Sequence, residues 1–157
     1  MTPVFRAISA AAFLMLSVAP TAAGPLEDAD AAFGRADYAT AMRIFHSLAD
    51  QGDAIAQYRL GLMYQGGLGV PEDYASAAMW FRSAAEQGLK TAQWDLGLMY
   101  ENGFGVQRDY VQAHLWYNLS AAQGWEAGAI SRTKLERAMT PAQIAEAQRL
   151  SREWKPR

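Results

Sequence analysis

The chain has 157 residues, 51% of them hydrophobic and 19% charged, with a formal net charge of −2 and two histidines. It has no cysteine, which excludes a disulfide scaffold, a thiolate metal site, an iron–sulfur centre and a cysteine nucleophile. The near-neutral balance leaves no basic face for nucleic acid, and one domain of this length can bury a sizeable core.

At the N-terminus, Arg6 is the only charge before Glu27 and precedes an apolar run from Ala7 to Val18. That run is shorter than the ~20 residues of a membrane span and has the length of a signal-peptide core. Small residues follow in Ala19-Pro20-Thr21-Ala22-Ala23, with Thr21 and Ala23 in the two positions a signal peptidase reads. Residues 1–23 are therefore expected to be a signal peptide cleaved after Ala23. That leaves a periplasmic or secreted domain of residues 24–157 without a stable membrane span. Its charge is uneven: residues 24–130 hold 6 basic and 13 acidic side chains, and residues 131–157 hold 7 and 3.

Self-similarity organises the rest. The stretch from Ala56, AQYRLGLMYQGGLGVPEDYASAAMWFRSAAEQG, recurs from Ala92 as AQWDLGLMYENGFGVQRDYVQAHLWYNLSAAQG, an offset of 36 with about half of the positions identical. Another 36 residues back, Asp37, Tyr38, Ala41, Phe45, Ala49 and Gly52 match the second half of the unit. The units are a partial repeat at 24–52, full repeats at 53–88 and 89–124, and a degenerate repeat with a capping helix at 125–157.

Each unit reads as two helices. Ala56, Leu60 and Tyr64 make an i, i+4 stripe on the first; Ala77, Trp80, Ala84 and Ala85 recur at helical spacing on the second. Gly61, Ala77 and Ala84 allow close approach, with Trp80 expected to fill the space beside them. Asp73 and Asp109 stand where the second helix begins, as N-caps, and Gly88 and Gly124 where it ends. Thr140, Pro141 and Gln143 form a capping box for a last helix whose apolar face is Ile144, Ala147, Leu150 and Trp154.

The pattern A-x-x-x-L-G-x-M-Y-x-x-G-x-G-V-x-x-D-Y-x-x-A-x-x-W, closed by a glycine, resembles the Sel-1-like repeat, a relative of the tetratricopeptide repeat. The resemblance covers residues 53–124 well. It implies an all-α fold, a right-handed α/α-solenoid with helix pairs near 26–34/37–51, 53–65/73–87, 89–101/109–123 and 125–138/141–154. Cysteine-rich relatives have been linked to β-lactam binding, an association that a cysteine-free chain does not inherit.

Catalytic patterns are thin. Ser131-Arg-Thr-Lys134 matches S-x-x-K, but the companion S-D-N and K-T-G motifs are missing. Asp73 and Asp109, in successive units, are spaced at least a helix apart (~8–10 Å), too far to share a proton. His46 and His114 occupy different places in the repeat, and the glycine runs Gly66–Gly69 and Gly103–Gly105 follow no strand. No cofactor, metal or catalytic residue is expected.

In related helical repeats the first helix of each pair lines a concave groove. The side of that helix opposite Ala56 and Leu60 carries Ile55, Tyr58, Leu62 and Gln65, and in the next unit Thr91, Trp94, Leu98 and Glu101. The aromatic pair Tyr58 and Trp94 would make anchors for a protein or peptide partner; the same residues would also fit packing between units. The expected function is an exported, non-catalytic interaction scaffold. The alternatives are a cell-envelope enzyme or accessory acting on peptidoglycan, and a homotypic assembly unit joining the acidic body to the basic C-terminal segment.

Overall fold

The computed structural model describes residues 24–157, so the signal peptide expected at 1–23 lies outside the described residues. Among the described residues there are eight helices and no strands: α1 (Pro25–Gly34), α2 (Tyr38–Asp50), α3 (Ala54–Gly66), α4 (Tyr74–Glu86), α5 (Lys90–Asn102), α6 (Tyr110–Ala122), α7 (Glu126–Glu136) and α8 (Pro141–Glu153). Each begins and ends within a few residues of its expected bounds. The all-α repeat fold is as the periodicity implied.

Caps explain why the helices start where they do. Asp37, Asp73 and Asp109 accept backbone N–H groups from the first turns of α2, α4 and α6, as the recurring aspartate predicted. Thr140 and Gln143 form the reciprocal capping box of α8. Each second helix leads into the next unit through a Gln-Gly-x link at 51–53, 87–89 and 123–125. Gly52, Gly88 and Gly124 take φ of 90°, 92° and 77°, the left-handed region in which a Cβ is costly. That glycine and the residue after it return hydrogen bonds to the helix they leave, as in Gly88 N–H to Ala85 O and Leu89 N–H to Ala84 O.

Within a unit, a missing Cβ sets the distance between the helices. A Cβ on Gly61 would stand 2.5 Å from the Phe81 ring, and one on Gly97 would stand 2.6 Å from the Tyr117 ring. Phe81 and Tyr117, both fully buried, thus fill the space assigned from sequence to Trp80. Trp80 is half-buried instead, edge-on to His46 with ring centroids 5.6 Å apart. The reason is angular: on α4, Phe81 follows Ala77 at i+4 and shares its face toward α3, while Trp80 is turned toward α2.

Between units, the glycine-rich loops dock backward. A Cβ on Gly105 would stand 2.0 Å from the Tyr74 carbonyl oxygen, and one on Gly69 2.7 Å from the Tyr38 Cβ. Each loop therefore seats against the start of the preceding unit's second helix. These glycines serve close backbone contact, and that space has no room for a phosphate. Phe104 stacks on Tyr74 with ring centroids 5.2 Å apart, at the same joint.

A second device ties the units together. Gln57 Nε2 donates to the Ala49 carbonyl of the previous unit at 3.3 Å, and Gln93 repeats this to Ala85 at 3.2 Å. Gln87 and Gln123 then donate to Gln57 and Gln93, each at 2.8 Å. The Gln57 and Gln93 amides give the Ala49 and Ala85 carbonyls a second donor beside the link-glycine N–H, at about 1 kcal/mol for each bond.

The last pair departs from expectation. α8 packs across α6 instead of forming a hairpin with α7. Link length is not the cause: residues 35–37, a shorter link also without glycine, join α1 and α2 into a pair, whereas α8 leaves the 137–140 link to cover α6. α7 lacks the L-G-x-M-Y face of α3 and α5 and packs on α6. Ala147 is fully buried, and Trp154 meets Trp116 edge-on at 6.3 Å. Beyond α8, Arg157 donates its backbone N–H to the Glu86 carbonyl at 2.9 Å and pairs with the Glu86 carboxylate at 3.4 Å. Arg149 pairs with Glu146 and Glu153 on its own helix. Part of the basic C-terminal charge is thus matched within the chain.

Candidate functional site: the face of the first helices

The layer made by α1, α3, α5 and α7 carries the residues singled out as a groove. Ile55 on α3 is exposed (44%). Tyr58, Leu62 and Gln65 on α3, and Thr91, Trp94, Leu98 and Glu101 on α5, are all half-buried. Every one of the eight thus keeps some solvent contact, while Ala56 and Leu60 on the opposite side of α3 are fully buried.

Tyr58 and Trp94 also bridge to their neighbours. The Tyr58 ring lies 5.5 Å from Phe81, and its hydroxyl faces Asp95 and Thr91 on α5. Burial, then the Asp95 carboxylate, raises the Tyr58 pKa well above that of a free phenol. Trp94 Nε1 donates to Ser131 Oγ on α7 at 3.1 Å. Glu101 accepts the Tyr117 hydroxyl at 2.5 Å, and burial, then that carboxylate, raises the Tyr117 pKa.

These bridges follow one rule that sequence comparison of the units did not reveal. Arg59, Asp95 and Ser131 stand 36 residues apart, one at the same place on each of α3, α5 and α7. Arg59 pairs with Asp30 on α1 at 2.9 Å, Asp95 faces Tyr58 on α3, and Ser131 accepts from Trp94 on α5. Each joins the first helix of the unit before it. The position escaped notice because a cation, an anion and a hydroxyl share no residue type. The available signal was that each directly follows the aromatic, or the residue in its place, at Tyr58, Trp94 and Ile130.

Asp95 has the most perturbed carboxylate of the face. It is 8% exposed, no cation among the described residues pairs with it, and desolvation pushes its pKa from 3.8 up to about 6, opposed only by the Tyr58 hydroxyl. No nucleophile stands beside it. Ser131 is engaged with Trp94, and no hydrogen bond joins it to Lys134. His114 is fully buried, with Nε2 2.8 Å from Glu136 Oε1, away from this face. Among the described residues no three His, Asp or Glu side chains are placed to hold a metal ion.

The model of the Sel1 repeat matches residues 31–53, 54–89 and 90–125, more than half of the chain. The chain belongs to the Sel1 repeat family. The crystal structure of a protective antigen present in uropathogenic Escherichia coli strains, displaying an SLR fold, is similar at 34% identity and a TM-score of 0.79 over 83% of this chain. A Sel1 repeat protein from Oxalobacter formigenes is similar at 27% identity and a TM-score of 0.68, again over 83% of this chain. The chain spans 29% of the first of those chains and 56% of the second. No curated protein gives a significant match. Sel1 repeat proteins act generally as protein-interaction scaffolds and are typically non-catalytic. No helix among the described residues is long and apolar enough to cross a membrane.

Proposed function

We propose that this Sel1 repeat protein is an exported, non-catalytic scaffold that holds a protein or peptide along the face of its first helices. Export rests on the order Arg6, apolar run and small-residue exit within residues 1–23. The observation that carries the binding role is the graded exposure of that face. Ile55 stands out at 44% exposure beside half-buried Tyr58, Leu62, Trp94 and Leu98, while the opposite face of the same helices is sealed in the core. Half-buried aromatics already held by hydrogen bonds lose little freedom when a partner covers them.

A photocrosslinking amino acid at position 55 tests the reading, with position 142, an exposed alanine at the start of α8, as the control. Position 55 is expected to yield one adduct in envelope extract that Leu98→Glu abolishes while the helical circular dichroism persists. Equal adducts from both positions would remove the first-helix face as the docking surface.

A further inference from the structure

The repeat breaks its pattern at a joint outside the eight residues of the first-helix face. His46, Tyr64 and Glu72 occupy three places around the junction of the first two units, with His46 edge-on to Tyr64 at 6.5 Å. Exactly one period of 36 residues later, those places hold Arg82, Tyr100 and Arg108. An imidazole and a carboxylate are replaced by two guanidinium groups. Since the fold accepts His and Glu there, packing does not call for arginine.

Both arginines lie against tyrosine rings. The Arg82 guanidinium carbon is 5.6 Å from the Tyr100 centroid, and its Nη2 donates to the Tyr100 hydroxyl at 2.5 Å. That of Arg108 is 5.7 Å from the Tyr110 centroid. Neither is among the ion pairs of the described residues. A ring face orients a guanidinium without neutralising it and leaves its planar fork of donors for a carboxylate. The two arginines line an open cleft of about 480 Å³, together with the amides of Gln107 and Gln112. Asp109 is the one carboxylate of that lining, and it accepts the N–H groups of Val111 and Gln112 at the start of α6.

The cleft continues past Arg82 onto an apolar ledge. Met79, 62% exposed, and Trp80 line an adjoining hollow of about 360 Å³ that includes Arg82. The repeat equivalent of Met79 is Leu115, which is 7% exposed on α6, the helix that α8 packs across. Residues 24–130 carry 13 acidic side chains and 6 basic ones, and two of those six meet in this cleft. Charge complementarity therefore points away from the acidic surroundings and toward an anionic occupant here.

We propose that the cleft is a second binding site, which takes an extended peptide carrying an acidic side chain next to an apolar one. The carboxylate seats between Arg82 and Arg108, and the apolar side chain covers Met79 and Trp80. No residue of this site belongs to the first-helix face, so the two can fail separately.

Fluorescence anisotropy of the full chain with a labelled hexapeptide of alternating glutamate and leucine tests it. Binding is expected at physiological salt, weakened about tenfold or more by Arg108→Gln, by Met79→Lys, and by exchanging the peptide glutamates for glutamine. Ile55→Glu, on the other face, is expected to leave it unchanged. Arg108 is exposed, so its variant folds even if Arg82→Gln, which loses the Tyr100 contact, does not. The proposal is overturned if the hexapeptide does not bind, or if Arg108→Gln binds like the parent. It is also overturned if an all-glutamate hexapeptide binds as tightly, the mark of diffuse charge, or if inorganic phosphate displaces the peptide at comparable affinity, the mark of a small-anion site.

Discussion

Asp95→Asn isolates the carboxylate, among the described residues, whose pKa burial raises on balance. In the folded chain its pKa is raised from 3.8 to about 6 by desolvation, so the native state holds this proton more tightly than the unfolded state does. The stabilisation from that proton is full below about pH 4 and is lost as pH rises through 6. At about 1.4 kcal/mol per unit, the ionised carboxylate costs about 3 kcal/mol in neutral and alkaline solution. Asparagine has the same shape, can still meet the Tyr58 hydroxyl, and carries no charge to desolvate. Urea unfolding of both proteins at a series of pH values is the assay. Asp95→Asn is expected to match the parent near pH 4 and to exceed it by about 2–3 kcal/mol at pH 8. Asp37, Asp73 and Glu146, whose pKa values are lowered first by hydrogen bonds to Thr40, Ser76 and Arg149, act in the opposite sense. They are common to both proteins and cancel in the difference. A difference independent of pH, or a parent more stable at pH 8, refutes the desolvation argument.

Two further changes probe the packing. Gly97→Ala puts a Cβ 2.6 Å from Tyr117 ring atoms, and the crowding is expected to cost about 1–3 kcal/mol in chemical denaturation; an unchanged midpoint would show that α5 and α6 separate freely. Trp94→Phe removes the indole N–H from Ser131 Oγ while keeping a ring on the first-helix face. It is expected to cost about 1 kcal/mol, with Ser131→Ala adding little in the double mutant, and additive losses would deny the bridge.

What the sequence revealed divides along the repeat. Residues that recur at the period announce their task by recurring: Asp73 and Asp109 as caps, Gly88 and Gly124 as left-handed links, and Gly61 and Gly97 as close approaches. Trp80 misled because identity between units marks a requirement without saying what the side chain touches. Phe81 and Tyr117, which differ, are the rings that sit over the glycines. The packing of α8 on α6 was hidden as well, since the apolar face of Ile144, Ala147, Leu150 and Trp154 does not itself say which helix it covers. On the first-helix face, Tyr58 and Trp94 drew notice as aromatics, whereas Asp95, which faces Tyr58, did not, and Ser131, which holds Trp94, was weighed only as part of S-x-x-K.

The variable position shared by Arg59, Asp95 and Ser131 bears on function. Three chemically different residues make the same kind of bridge to the preceding first helix, so the bridge itself does not dictate which residue is used. A serine at position 95 would satisfy a hydroxyl partner without the desolvation that raises the Asp95 pKa. The fold therefore carries an avoidable cost at the centre of the face that also displays Trp94, Tyr58 and Ile55. A cationic group arriving there would hold Asp95 ionised and recover part of that cost, and its binding would release a proton as pH falls toward 6. A partner that docks on this face with a lysine or arginine is thus expected to bind more tightly at pH 8 than at pH 5, and Asp95→Asn is expected to flatten that dependence. Equal pH dependence in both proteins would separate Asp95 from recognition and leave it a strut between α3 and α5.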